Sequence, residues 1–141
     1  MNRNRNGCRM PMNDHGPEPF LTSIDKASRQ NPHYRTALWT GQHLQLTLMC
    51  IPVGGEIGLE VHPDTDQFIR IESGHGMAMM GPDKDRLHFQ RPVCDGYAIF
   101  VPAGTWHNIV NTGCCPLKIY TIYAPPHHPH GTVQFTKADA H

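Results

Sequence analysis

The sequence predicts an all-β fold, a small antiparallel barrel or sandwich, on three observations. Short runs rich in Val, Ile, Leu, Thr and Tyr recur at regular spacing through the middle of the chain. Glycine and proline clusters punctuate them. No stretch of helical period is long enough for more than one short helix. The 141 residues suit one domain with one core, and no internal repeat or second domain is visible.

Residues 1–20 are polar, lack any hydrophobic period and read as a flexible N-terminal arm. Arg3, Arg5 and Arg9 are followed by no apolar run, so the arm does not read as a secretory signal. Residues 21–29 form a short helical turn with Ser23 as N-cap, ended by Asn31-Pro32. Residues 35–40 are a first strand. Residues 43–51 alternate cleanly, with Leu44, Leu46, Leu48 and Cys50 on one face and His43, Gln45, Thr47 and Met49 on the other. The leucine face is expected to join the core. After a turn at 52–55, residues 57–61 form a strand leading into His62, and 63–66 form a loop.

Residues 67–72 are the next strand, with Gln67, Ile69 and Ile71 facing one way and Arg70 and Glu72 the other. A glycine turn leads to a strand at 76–80, then a loop at 81–85 and a strand at 87–90 that Arg91-Pro92 ends. Residues 97–101 are apolar. Pro102 and Gly104 then make a turn, with proline expected at its second position and glycine at its fourth. A strand from His107 places His107, Ile109 and Asn111 on one face. Residues 117–123 are rich in β-formers, and Ala124-Pro125-Pro126 leaves the barrel. Residues 131–136 add a last edge strand.

Formal charge is zero, with 12 basic and 12 acidic residues and no block of either sign. That argues against nucleic acid or an anionic membrane surface as the main partner. No apolar run reaches a membrane span. The five cysteines, Cys8, Cys50, Cys94, Cys114 and Cys115, include no C-x-x-C, so they read as reduced thiols in a cytoplasmic setting. The tail at 125–141 concentrates histidines among prolines. It reads either as a cover for the barrel mouth or an auxiliary metal site, or as a solvated loop.

Two motifs narrow the fold. Residues 96–111, GYAIFVPAGTWHNIVN, resemble the second motif of the cupin superfamily, G-x5-P-x-G-x2-H-x3-N, at Gly96, Pro102, Gly104, His107 and Asn111. Residues 54–74 resemble the first, G-x5-H-x-H-x3-4-E-x6-G. Gly54 and Gly74 hold the glycine positions, Glu60 stands at the first histidine, His62 at the second and Gln67 at the glutamate. The resemblance covers residues 35–123 and implies a cupin jelly-roll barrel over residues 21–124. It also implies a metal site of Glu60, His62, Gln67 and His107.

Compared with the family's usual three histidines and one glutamate, this set keeps one negative charge but moves it from position 67 to position 60. Two imidazoles, a carboxylate and an amide oxygen suit manganese, iron, nickel, cobalt or zinc. The resemblance implies a metal-dependent enzyme on a small polar metabolite, with an isomerase of the mannose-6-phosphate isomerase-like kind favoured. An iron dioxygenase and a non-catalytic small-molecule binding domain stand as alternatives. Cations for a sugar phosphate are few: Arg35 and Lys118 are the candidates. Tyr97 and Tyr123 read as hydroxyl donors or core, and Trp106 as rim or core. Open sheet edges and the habit of such barrels predict a homodimer.

Overall fold

A computed structural model describes residues 13–140. Its elements are α1 (Ile24–Gln30), β1 (Arg35–Thr40), β2 (Gln45–Ile51), β3 (Asp66–Ser73), β4 (His75–Gly81), β5 (Phe89–Cys94), β6 (Ala98–Val101), β7 (Trp106–Asn111), β8 (Leu117–Ala124) and β9 (Val133–Gln134), followed by a 3-10 turn, Lys137–Asp139. A six-stranded sheet in the order β6-β3-β8-β2-β1-β9 faces a three-stranded one in the order β5-β4-β7, and every pairing is antiparallel. This is the all-β barrel that the sequence predicts.

Helix α1 forms as expected. The Ser23 hydroxyl accepts from the Lys26 N–H, and Arg29 pairs with Asp25 at 2.7 Å one turn away. Its buried Ala27 packs with Leu38 and Leu48 on the outside of the large sheet. That contact corrects the reading of β2. The leucine face points out of the barrel, toward α1, and Leu44 stays exposed. The other face, Gln45, Thr47, Met49 and Ile51, points inward and is fully buried. Alternation assigned the two faces correctly but not their direction, because both are covered.

The barrel interior is therefore divided. At one end Met49, Ile69, Ile71, Ile109, Leu117 and Ile119 form the apolar core. Each such buried side chain contributes about 1.5–3 kcal/mol through removal of its surface from water. At the other end the same strands turn Gln45, Thr47, Gln67, Thr121 and Tyr123 inward, all of them buried. Strand register stacks them, since Thr47 lies opposite Thr121, and Tyr123 opposite both Gln45 and Gln67.

Two strand expectations also change. Strand β5 runs through Arg91-Pro92 instead of ending there. It is the edge of the small sheet, where a residue without an N–H leaves no ladder bond broken. Residues 57–61 are not a regular strand. Isolated bridges from Glu56 to Val110 and from Glu60 to His107 hold this segment beside β7, and Gly58 adopts φ +103° between them. At the C-terminus, the expected edge strand is the short β9, paired with β1.

The arm expectation for residues 1–12, including Cys8, lies outside the described residues. Residues 13–20 are held against β1. The Asp14 carboxylate accepts from the Thr40 N–H and hydroxyl at 3.0 and 2.6 Å and from the Gly131 N–H at 2.9 Å. One side chain thus joins the N-terminal segment, β1 and the C-terminal tail. Cys50, Cys94, Cys114 and Cys115 are free thiols. Among the described residues, no helix is long and apolar enough to cross a membrane.

Candidate metal centre

The loop before β7 sets the position of His107. Thr105 N–H donates to the Pro102 carbonyl at 3.1 Å, so the turn spans residues 102–105 with Gly104 third, at φ +82°. The glycine therefore supplies a positive φ rather than relief at the fourth position, as a type II turn requires. Its own N–H donates to the His62 carbonyl at 2.9 Å, tying the two motif loops together.

Glu60 faces His107 for a backbone reason. The two residues exchange both N–H···O bonds, at 3.0 and 2.9 Å. In an antiparallel pair this sets their side chains next to each other on one face. His62 follows two residues later and joins them. Its Nε2 lies 3.5 Å from Glu60 Oε1, and His107 Nε2 lies 3.8 Å from the same oxygen. The ligand atoms of all three residues lie within 4.8 Å of one another. Bonds of about 2.1 Å from a single ion would set such atoms about 3–4 Å apart, and two of the separations already fall there.

Protonation also fits. His107 Nδ1 lies 2.9 Å from the Thr105 carbonyl, which can only accept, so this nitrogen carries the proton and Nε2 presents its lone pair. Burial pushes the His107 imidazole below its ordinary value, against the pull of the Thr105 carbonyl and Glu60, which keeps it neutral for ligation. Burial alone would raise Glu60. His62, together with Arg35 and His107, outweighs it and holds the carboxyl below its usual range.

The residues present fit a metal ion on a further ground. Among the described residues, most of the buried side-chain polar atoms that lack a hydrogen-bond partner belong to this one chamber. They are Arg35 Nε, Thr47 Oγ1, Glu60 Oε1, both His62 nitrogens, Gln67 Oε1 and His107 Nε2. Native interiors rarely leave such atoms orphaned unless a ligand, ion or water meets them. Gln67 is buried on β3. Its Nε2 donates to Thr121 Oγ1 at 3.4 Å, and its unpartnered Oε1 shares the chamber wall with Tyr123, the register neighbour whose ring stands 5.5 Å from His62.

The tail contributes residues that sequence reasoning left undecided. The His127 ring lies 4.1 Å from that of His62, and His128 Nε2 lies 3.3 Å from the Tyr123 hydroxyl. Gln45 clamps this segment. Its Oε1 accepts from the His127 and His128 N–H groups at 3.1 and 2.9 Å, and its Nε2 donates to the His128 carbonyl at 2.8 Å. The histidine-proline composition marked the segment, but only the partner 82 residues away shows where it lies. Tyr123 is buried with its hydroxyl at the chamber, whereas Tyr97 is half exposed on the outside. Of the two cations, Arg35 is buried inward, and Lys118 turns outward to the Asn31 carbonyl at 2.7 Å.

A β-barrel with a histidine-carboxylate centre at its polar end is the architecture of the cupins, and the cupin domain model matches residues 47–123. The chain belongs to the cupin family. It is 60% identical over 129 residues to the uncharacterized protein YrkC of Bacillus subtilis, a match covering 92% of this chain and 69% of YrkC. The crystal structure of BH2720 from Bacillus halodurans superposes with a TM-score of 0.90 at 60% identity, covering 91% of this chain and 97% of that one. A Klebsiella pneumoniae protein with a double-stranded β-helix domain shares the fold at 18% identity and a TM-score of 0.64, covering 83% and 98% of the two chains.

Proposed function

We propose that this cupin is a metal-dependent enzyme acting on a small polar metabolite, with Glu60, His62 and His107 holding one divalent first-row ion. The observation that supports the reading is the convergence of two imidazoles and one carboxylate, whose facing atoms Glu60 Oε1, His62 Nε2 and His107 Nε2 lack hydrogen-bond partners, at the buried polar end of the barrel. Two histidines and a carboxylate with positions left open form the ligand set that suits iron(II) in dioxygen-using enzymes, so iron-dependent dioxygenation fits best. When bound, such an ion supplies Lewis acidity and a one-electron redox partner.

The chain's own residues supply the rest. The Thr105 carbonyl orients His107, and the Gly104–His62 backbone bond holds the two ligand loops in register. The apolar floor below Thr47 and Thr121 limits water entry to the mouth. His127 stands exposed at that mouth beside His62. Burial and the neighbouring His62 keep its imidazole below the ordinary value, so the ring is neutral, in its base form, near neutrality.

That placement favours a second reading, proton transfer on a carbonyl metabolite, as in an isomerase. The sugar-phosphate form of it is weakened by Lys118, which points away from the chamber. The test is metal analysis of tag-free protein, followed by oxygen uptake by iron-loaded protein across a panel of small acids and sugars. Uptake with one class of substrate, lost in Glu60→Gln, is expected. Turnover with solvent deuterium incorporation and no oxygen uptake would move the assignment to isomerase. Ligand binding without any turnover would leave a binding module.

A further inference from the structure

The metal ligands leave Arg35 unexplained. It projects from β1 into the barrel and is 2% exposed. Among the described residues, no carboxylate lies within 4.0 Å of its guanidinium. Nη1 donates to Gln134 Oε1 at 2.6 Å, Nη2 meets the Met49 thioether at 3.9 Å, and the neutral Tyr34 and Tyr123 hydroxyls are its other polar neighbours. Nε is buried without a partner. The Tyr34 ring lies 5.1 Å away and supplies a cation–π contact. A guanidinium removed from water with no carboxylate in contact is strongly unfavourable, so its burial points to an anion that meets it.

The charge balance of the chamber agrees. Arg35 and Glu60 are its formally charged side chains, and they offset each other. A divalent ion on Glu60, His62 and His107 would leave the chamber with an excess of two positive charges. The Tyr123 hydroxyl faces Arg35, and Thr47 presents an unpartnered hydroxyl inward from β2. The influence of Arg35 also reaches Glu60, whose carboxyl it helps to lower. A single planar fork with two hydroxyls suits a carboxylate. A phosphate ordinarily draws several cations or a row of backbone N–H groups.

We propose that Arg35 is a substrate-binding residue and that the substrate class is a small carboxylate dianion, one carboxylate on Arg35 and the other end toward the Glu60-His62-His107 set. This rests on the metal reading above. The experiment is calorimetric titration of malonate, malonamide and inorganic phosphate into manganese-loaded and metal-free protein. The proteins are wild type, Arg35→Met and Arg35→Lys, each with its metal content measured.

Malonate should bind the loaded wild type about tenfold or more tighter than its uncharged isostere malonamide, and tighter than phosphate. Arg35→Met should keep its metal and lose about tenfold or more in malonate affinity. Arg35→Lys, a point charge without the fork, should recover only part of it. Equal binding of malonate and malonamide, tighter binding of phosphate, or no binding of malonate would overturn the proposal. So would unchanged malonate affinity in Arg35→Met. If Arg35→Met does not fold, full malonate affinity in Arg35→Lys has the same force. If wild type binds no metal, the metal reading falls by itself. Loss of malonate binding in the Arg35 variants of metal-free protein would then still sustain the role of Arg35, and no loss would end it.

Discussion

Glu60 and Gln67 carry the chain's departure from the usual cupin ligand pattern, and their surroundings differ. Glu60 is locked to His107 by two backbone bonds, whereas Gln67 leaves a buried carbonyl oxygen without a partner. Glu60→Gln removes the only carboxylate of the set and should weaken metal binding severely through the lost charge attraction. Gln67→Glu should lower the melting temperature of metal-free protein, where a second buried carboxylate repels Glu60, and be tolerated once metal is present. The double exchange should recover much of the Glu60→Gln loss, because it restores the charge at the family's usual position. Metal titration and melting curves of the four proteins check this; a double variant no better than Glu60→Gln would separate Gln67 from the centre.

His128 is the residue whose protonation should be visible in folding. Burial, with Arg35 and His127 facing it, pushes its imidazole down to about 3. In the unfolded chain the value returns to roughly 6.5. Between those values the unfolded chain binds a proton that the folded chain does not. Its contribution is therefore complete above about pH 6.5 and is lost as pH falls toward 3. Denaturant midpoints measured across that window should fall less steeply for His128→Gln than for wild type.

Strand β2 organises the chamber because both of its faces are used. The leucine face binds α1, and the polar face supplies Gln45 and Thr47 to the interior. Gln45 is buried, and both of its amide atoms are engaged: the clamp on residues 127–128 and a 2.9 Å bond to Thr40 Oγ1. Gln45→Leu keeps the volume and strands the tail's N–H groups. It should lower stability by about 1–3 kcal/mol. Amide hydrogen exchange at His127 and His128 should accelerate more than in β8. Uniform protection in the variant would mean that Asp14 and the tail's other contacts hold the segment alone.

The assembled barrel makes two further expectations measurable. Tag-free protein should carry about one first-row metal per chain. Chelation should lower its melting temperature, because an ion bound only to the folded state stabilises that state. A melting temperature indifferent to chelator would remove the metal from the account. The outer edge formed by β5 and β6 exposes Phe89, Tyr97 and Phe100, the last at 69%. Unpaired edges and apolar side chains of this kind favour pairing between copies. Light scattering should give twice the 15.9 kDa chain mass, and Phe100→Glu should shift it toward the single-chain value.

The sequence by itself determined the fold and pointed to most of the candidate metal set. Turn chemistry, alternation and two spaced motifs are local properties, and Gly54, Gly74, Gly96 and Gly104 mark backbone positions that few other residues can occupy. Those signals also named Glu60, His62 and His107, because two-residue spacing and a turn put them in reach. The tertiary structure decided the rest. Period-two alternation separates two faces but does not say which one is the interior when both are covered, so the leucines of β2 pointed the wrong way on paper. Proline in β5 was read without knowing that the strand is an edge. Arg35 meets Tyr123, His127 and His128 from the far end of the chain, and no local spacing relates it to them. Their meeting follows from strand register and from the Gln45 and Asp14 clamps, which exist only once the barrel has closed.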